Sequence, residues 1–216
     1  MPRGRKRIAD ASSMQYETAI PTKTLKVTSK KSKDPSKEYS HFTHWLVKSE
    51  GESRIENGHD FKFSIDDLAN SKNQTTHWEG VRNYQARNFM RDFMKLGQQV
   101  FFYHSNVKEP GIVGLVEITK ESYPDHTQFE KGNHYFDKSA SKDNPRWFMV
   151  DIKLVRHFKR CITLKELKRW HLEHKKNNGP LKDLFLFTKA RLSVLPISDK
   201  EWEFICKLED QEPFVD

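Results

Sequence analysis

Trp147-Phe148-Met149-Val150-Asp151-Ile152-Lys153-Leu154-Val155 alternates along its length. Trp147, Met149, Asp151, Lys153 and Val155 fall on one side; Phe148, Val150, Ile152 and Leu154 fall on the other. Successive side chains of an extended chain point to opposite faces, so the wholly apolar second set is the expected core face of a strand. Upstream, Gln99-Val100-Phe101-Phe102-Tyr103-His104 reads as an apolar strand. Gly111 to Ile118 reads as another, with glycines that permit a bend or bulge. His44-Trp45-Leu46-Val47-Lys48 fits a first strand and Arg191 to Leu195 a late one.

Helix signals lie between these strands. Ser64 with Asp67 three residues on is an N-cap pattern opening a short helix. Ala86, Phe89, Met90, Phe93 and Met94 recur at helical spacing, which predicts a helix from Arg82 to Leu96 stopped by Gly97. Thr163 with Glu166, and Ser198 with Glu201, are capping boxes for helices to about His174 and through Leu208. Asn177-Asn178-Gly179-Pro180 is a loop. Strands and helices do not alternate strictly, which disfavours a doubly wound parallel sheet. The expected class is α+β, a curved, barrel-like β sheet with flanking helices.

Of the 216 residues, 35% are hydrophobic and 31% charged, yet 15 are Phe and 5 Trp. A core is therefore expected beside a disordered part. Residues 1–40 carry 10 Lys/Arg against 4 Asp/Glu, and residues 41–216 carry 28 against 26. The net charge of +8 thus belongs mainly to the first segment. The expected organisation is a disordered basic tail over 1–40 and one domain over 41–216. A basic arm on a near-neutral domain fits a polyanionic partner, or a tail that only aids solubility. Arg3, Arg5, Lys6 and Arg7 form a nuclear-localisation-type cluster. No apolar run of about 18 residues exists, so no membrane partner is expected. Cys161 and Cys206 have neither disulfide-framework nor metal-ligand spacing.

Trp78-Glu79-Gly80-Val81-Arg82-Asn83-Tyr84-Gln85-Ala86-Arg87-Asn88 is the densest candidate site. Gly80 permits close backbone approach, Trp78 and Tyr84 offer faces for stacking, and Asn83 can donate and accept at once. The other reading is a helix cap beside a core Trp. Lys48-Ser49-Glu50, just past the first strand, is either a pocket wall or a polar turn. Tyr103-His104-Ser105-Asn106 fits a loop that caps a pocket, since adjacent Ser and His cannot form a triad. His171 and His174 lie on one helix with no clear further ligands, on an expected solvated face. Tyr123 to Phe129 is a turn-rich loop that flanks the site or merely connects strands. The hydrolytic deaminase signature H-x-E with P-C-x-x-C is absent, as are H-E-x-x-H and phosphate-binding glycine loops. No metal, cofactor or catalytic residue is expected.

Trp45 to Glu50, Trp78 to Asn88, Phe101 to Ser105 and Pro145-Arg146-Trp147 together resemble the EVE domain family over about residues 42–210. The resemblance implies a PUA-like pseudobarrel with no known catalysis. It implies recognition of modified bases in DNA, with modified cytosines such as 5-hydroxymethylcytosine favoured and RNA left open. By motif position, Lys48, Ser49 and Glu50 line one wall. Trp78, Gly80, Val81, Asn83 and Tyr84 line another, and Tyr103, His104 and Ser105 close the rim. Arg82 and Arg87 are the expected phosphate contacts. Gly51 stands where the family usually has proline, which is expected to loosen the Glu50 wall. The expected protein is a nuclear, monomeric reader that holds a base flipped out of its duplex. Alternatives are a nucleic-acid-processing enzyme using Glu50 and His104 as acid and base, or a protein-interaction module with a Phe-rich surface.

Overall fold

The computed structural model describes residues 38–214. Residues 1–37, with Arg3, Arg5, Lys6 and Arg7, lie outside the described residues. Tyr39 already packs on the core, its ring 4.9 Å from that of Phe89 and nearly perpendicular to it.

A six-stranded mixed sheet organises the fold, with strand order β4-β7-β6-β5-β1-β8. The strands are β1 His44–Glu50, β4 Thr75–His77, β5 Gln99–Ser105, β6 Gly111–Pro124, β7 Phe148–Thr163 and β8 Val194–Ile197. A hairpin of β2 Ile55–Glu56 and β3 His59–Asp60 stands apart. The helices are α1 Ile65–Asn70, α2 Tyr84–Asn88, α3 Leu164–Asn177, α4 Phe185–Thr188 and α5 Asp199–Leu208. β1 runs parallel to β5 and antiparallel to β8, while β5-β6-β7-β4 are antiparallel. The α+β expectation holds. The register of β6 slips repeatedly against β5 and β7, and such bulges bend a sheet. The sheet is therefore curved but open, with β4 and β8 as its edges rather than partners.

β1 and β5 are neighbouring interior strands, and Trp45, Leu46, Val47, Val100, Phe101 and Phe102 are all fully buried. Consecutive buried residues mean that both faces of these strands are covered, which is why they read as apolar runs. Each such side chain contributes about 1.5–3 kcal/mol of burial free energy. Along β7, Val150, Ile152 and Leu154 are buried while Lys153 and Val155 are exposed, as the alternation requires. Trp147 and Met149 depart from it, because both are also buried. The Tyr84 ring stacks on Trp147 at 5.0 Å, and the Trp147 carbonyl accepts from Asp125 N–H and Gln128 Nε2. The segment after β6 therefore covers a face expected to meet solvent.

Four other expectations are revised. The Arg82–Leu96 helix starts only at Tyr84, behind an Asn83 cap, and ends at Phe93. Its second half is one π-helical turn, in which Met94 N–H donates to Phe89 O five residues back. The late strand is shifted to Val194–Ile197, with Pro196 tolerated at the sheet edge. At Thr163 only half the capping box forms: its hydroxyl accepts from Glu166 N–H, but the Glu166 carboxylate is taken by Arg160. His171 and His174 are buried rather than solvated. Their Nδ1 atoms contact Leu181 O at 2.7 Å and Leu181 N at 3.0 Å, pinning the segment after α3. By contrast, the Ser64 and Ser198 boxes close as read.

Candidate functional site

A cavity of about 510 Å³ opens between the end of β1, the β2–β3 hairpin and the Trp78–Asn83 segment. That volume lies in the range of small-molecule pockets and exceeds what one nucleobase needs. Lys48, Ser49, Glu50, Trp78, Gly80, Val81, Arg82 and Asn83 all line it, so the first two predicted walls meet in space.

β1 delivers the first wall. Lys48 Nζ donates to Ala190 O at 2.9 Å, which uses one of its three donors. Burial pushes the Lys48 ammonium below the usual lysine range. Ser49 Oγ donates to Phe63 O. Glu50 accepts from Arg54 Nε and Nη2, both at 2.7 Å, and from Asn106 Nδ2 at 3.2 Å. A bidentate guanidinium fixes a carboxylate firmly. Gly51 does not loosen this wall. Its N–H donates to Ser105 O at 3.0 Å, a bond proline cannot make. A Cβ at Gly51 would stand 2.6 Å from Val107 Cγ1 and 2.9 Å from His104 Cγ, so the imidazole occupies that space.

The second wall is an extended segment leaving β4. Trp78 belongs to the core cluster at 8% exposure, edge-on to Phe102 at 5.6 Å and Phe63 at 6.4 Å, yet it borders the cavity. The indole thus both packs into the core and borders the cavity. Gly80 adopts φ +76, and a Cβ there would lie 2.4 Å from Tyr135 Cζ. Only glycine meets both demands. Asn83 caps α2 by accepting from Gln85 and Ala86 N–H, which leaves its amide NH₂ free of that duty.

Several predicted residues serve elsewhere. Tyr84 does not line the cavity; half-exposed, it stacks on Trp147 and bonds Arg146. Arg82 is committed internally, to Asp125 Oδ2 at 2.7 Å, Thr127 Oγ1 at 2.9 Å and Tyr135 O at 2.6 Å. Arg87 donates to Arg146 O and Asn88 Oδ1, and burial lowers its pKa. Both guanidiniums thus spend donors on the protein itself. Tyr103, His104 and Ser105 pair with Lys48, Ser49 and Glu50 on the adjacent strand and are not among the residues lining the cavity. Tyr103 is buried and its phenol is pushed up to about 12. His104 Nε2 accepts from Ile65 N–H at 3.0 Å, and burial holds its pKa low. Ser105 Oγ donates to Ser49 O at 2.9 Å. Glu50 and His104 thus serve different partners and form no acid/base pair.

The third wall escaped the sequence reading. Phe61 and Phe63, just past the hairpin, and Tyr135 face the cavity. Arg54 sits over the Phe61 ring at 4.3 Å. Burial raises the Tyr135 pKa, and its phenol is a hydrogen-bond donor as in any neutral tyrosine. The nearest available signal was the aromatic repeat Phe61-Lys62-Phe63 beside a turn, which has no distinguishing spacing.

A family model described as EVE domain matches residues 43–208. Human thymocyte nuclear protein 1 is 59% identical over 171 residues, 79% of this chain and 76% of the relative. The zebrafish protein of that name is 60% identical over 80% of this chain and 74% of its own. Among solved structures, human THYN1 protein in complex with 5-methylcytosine containing DNA superposes with TM-score 0.77 at 59% identity, covering 79% of this chain and 99% of that one. With the family model spanning the whole sheet and every cavity wall, this chain belongs to the EVE domain family.

Proposed function

We propose that this protein is a nuclear, non-catalytic reader that holds a modified cytosine of DNA in the cavity between β1 and Trp78–Asn83. The observation that carries the reading is a cavity large enough to admit a nucleobase and bordered by Trp78, in a chain 59% identical to a protein crystallised with 5-methylcytosine DNA. A base reaches such a cavity only when unstacked, at a cost of a few kcal/mol. One aromatic contact returns roughly 1–3 kcal/mol. These nearly cancel, so affinity rests on phosphate contacts and selectivity on edge hydrogen bonds.

Donors in the cavity include Lys48, the Asn83 amide and the Tyr135 hydroxyl, and the Glu50 carboxylate retains one lone pair beyond the three that Arg54 and Asn106 use. With Arg82 and Arg87 engaged internally, phosphate neutralisation falls mainly to the basic first 40 residues, with Lys62 at the cavity. The Arg3–Arg7 cluster and the nuclear name of the relatives support the nuclear placement. The test compares binding to matched duplexes carrying cytosine, 5-methylcytosine or 5-hydroxymethylcytosine. Preference for a modified duplex, lost in a Trp78→Phe variant that still folds, is the expected result. Equal affinity for all three duplexes overturns the reading.

A further inference from the structure

We propose that His77, Glu79 and His126 form a Zn²⁺-class binding site at the mouth of the cavity. Among the described residues, this is the group whose ligand atoms converge: one nitrogen or oxygen from each lies within 4.8 Å of the others. The informative atom is Glu79 Oε2. It lies 3.0 Å from His77 Nε2 and 3.7 Å from His126 Nε2. It is sealed from solvent, yet no hydrogen bond reaches it. A carboxylate oxygen in that condition calls for a cation. Ligand atoms around a metal aim at a shared point rather than at one another, which fits close approach without hydrogen-bond alignment.

The backbone holds the three residues ready. His77 and Glu79 are two apart on extended chain leaving β4, so their side chains share a face. Trp78 N–H, between them, donates to Val150 O at 2.7 Å and locks that face. Gly80 N–H donates to Asp125 Oδ2 at 2.9 Å. The residue after Glu79 is thereby tied to the residue before His126. The two imidazoles stand nearly perpendicular with centroids 5.2 Å apart. Ligand atoms bonded to zinc at about 2.0–2.2 Å sit roughly 3.3–3.6 Å from one another. The His77 and His126 side chains, 47% and 50% exposed, can turn the remaining distance without disturbing the core.

Two imidazoles and one carboxylate suit Zn²⁺ and its transition-metal neighbours, not Ca²⁺ or Mg²⁺. Three protein ligands leave one coordination position open. His77 and Glu79 line the cavity, so that position is reached from the cavity mouth. This site does not depend on the base-reading proposal, and its test contains no DNA.

The full chain, stripped with chelator and desalted, is titrated with Zn²⁺ by calorimetry and with Co²⁺ by visible absorption. One equivalent of Zn²⁺ is expected, together with the intense d–d bands of low-coordinate Co²⁺. His77→Ala, Glu79→Gln and His126→Ala should each weaken binding at least about tenfold, beyond the smallest losses seen for outer-shell partners. Metal-free melting curves of the variants check that they fold. If the His77→Ala/His126→Ala double variant folds and binds Zn²⁺ as tightly as the parent, the site is wrong. Absence of uptake by the parent protein also overturns it.

Discussion

Arg82 and Asp125 form a part-buried bridge at 2.7 Å that fastens the cavity wall to the segment following β6. The Asp125 side chain is wholly inaccessible. It accepts in addition from Gly80 N–H, Thr127 N–H and the Thr127 hydroxyl. Every acceptor position on the carboxylate is matched by a donor, which is how an ionised group is kept in an interior. The same clamp sets the turn at Gly80 and brings His126 beside Glu79.

Removing one member of the bridge should cost far more than a surface pair would. Arg82→Met leaves Asp125 ionised, buried and without its cation, a change worth about 3–5 kcal/mol in comparable cases. Urea unfolding monitored by Trp fluorescence measures it. A loss under about 1 kcal/mol, the level of an exposed pair, would mean that the bridge does not hold the wall.

The same carboxylate predicts an acid limb of stability. Burial alone pushes the Asp125 pKa upward and is the largest influence, but Arg82, Thr127 and Gly80 together hold it below the ordinary 3.8. A group with a depressed folded pKa contributes stability above its unfolded pKa and loses it as pH falls through the folded value. The Asp125 contribution should therefore be complete at pH 5 and above, and fade below about pH 4. Asp125→Asn should flatten that part of a stability–pH profile; an unchanged acid limb would remove Asp125 as its source.

Gly80→Ala tests the close approach of Tyr135. The substitution adds a Cβ at positive φ and 2.4 Å from a ring carbon. Backbone strain of that kind costs roughly 1–3 kcal/mol, and the ring must also retreat from the cavity. Both stability and preference for modified duplexes should fall. Retained preference would show that the Tyr135 wall takes no part in selection.

How far the sequence reached follows from what each signal encodes. Strong local chemistry was legible: the Ser64 and Ser198 caps, the buried runs of β1 and β5, and the two walls built from contiguous motifs. What escaped was set by partners distant along the chain. Arg82 read as a free cation because its partners Asp125, Thr127 and Tyr135 lie more than 40 residues away. Tyr84 read as a pocket ring because its stacking partner is Trp147. Trp147 in turn read as outward-facing because nothing in its own strand reveals the cover supplied by Tyr84 and the loop from Asp125. His104 read as a rim residue although its imidazole fills the space that Gly51 leaves open.

Lys48 separates base reading from phosphate holding. It keeps two donors after bonding Ala190, and burial lowers its pKa. Lys48→Met keeps the stem and removes the charge. If Lys48 reads the base edge, discrimination between modified and plain duplexes should fall, with the salt dependence of binding unchanged. If it neutralises a phosphate, affinity for every duplex should drop together and the slope of log K against log salt should shrink by about 0.9. The cavity position favours the first outcome. Full retention of both quantities would exclude Lys48 from the interface.

Truncation of residues 1–37 isolates the electrostatic share of binding. This segment holds all 10 Lys/Arg found in the first 40 residues and none of the cavity residues. Its contacts are expected to be with phosphates, which carry no base identity. The truncated chain should therefore bind modified and unmodified duplexes more weakly by the same factor, with a shallower salt slope, while the ratio between them is kept. Fluorescence anisotropy across a salt series yields both numbers from one experiment. A ratio that collapses with the segment would move selectivity out of the cavity and into the first 37 residues, and the base-reading proposal would fall with it.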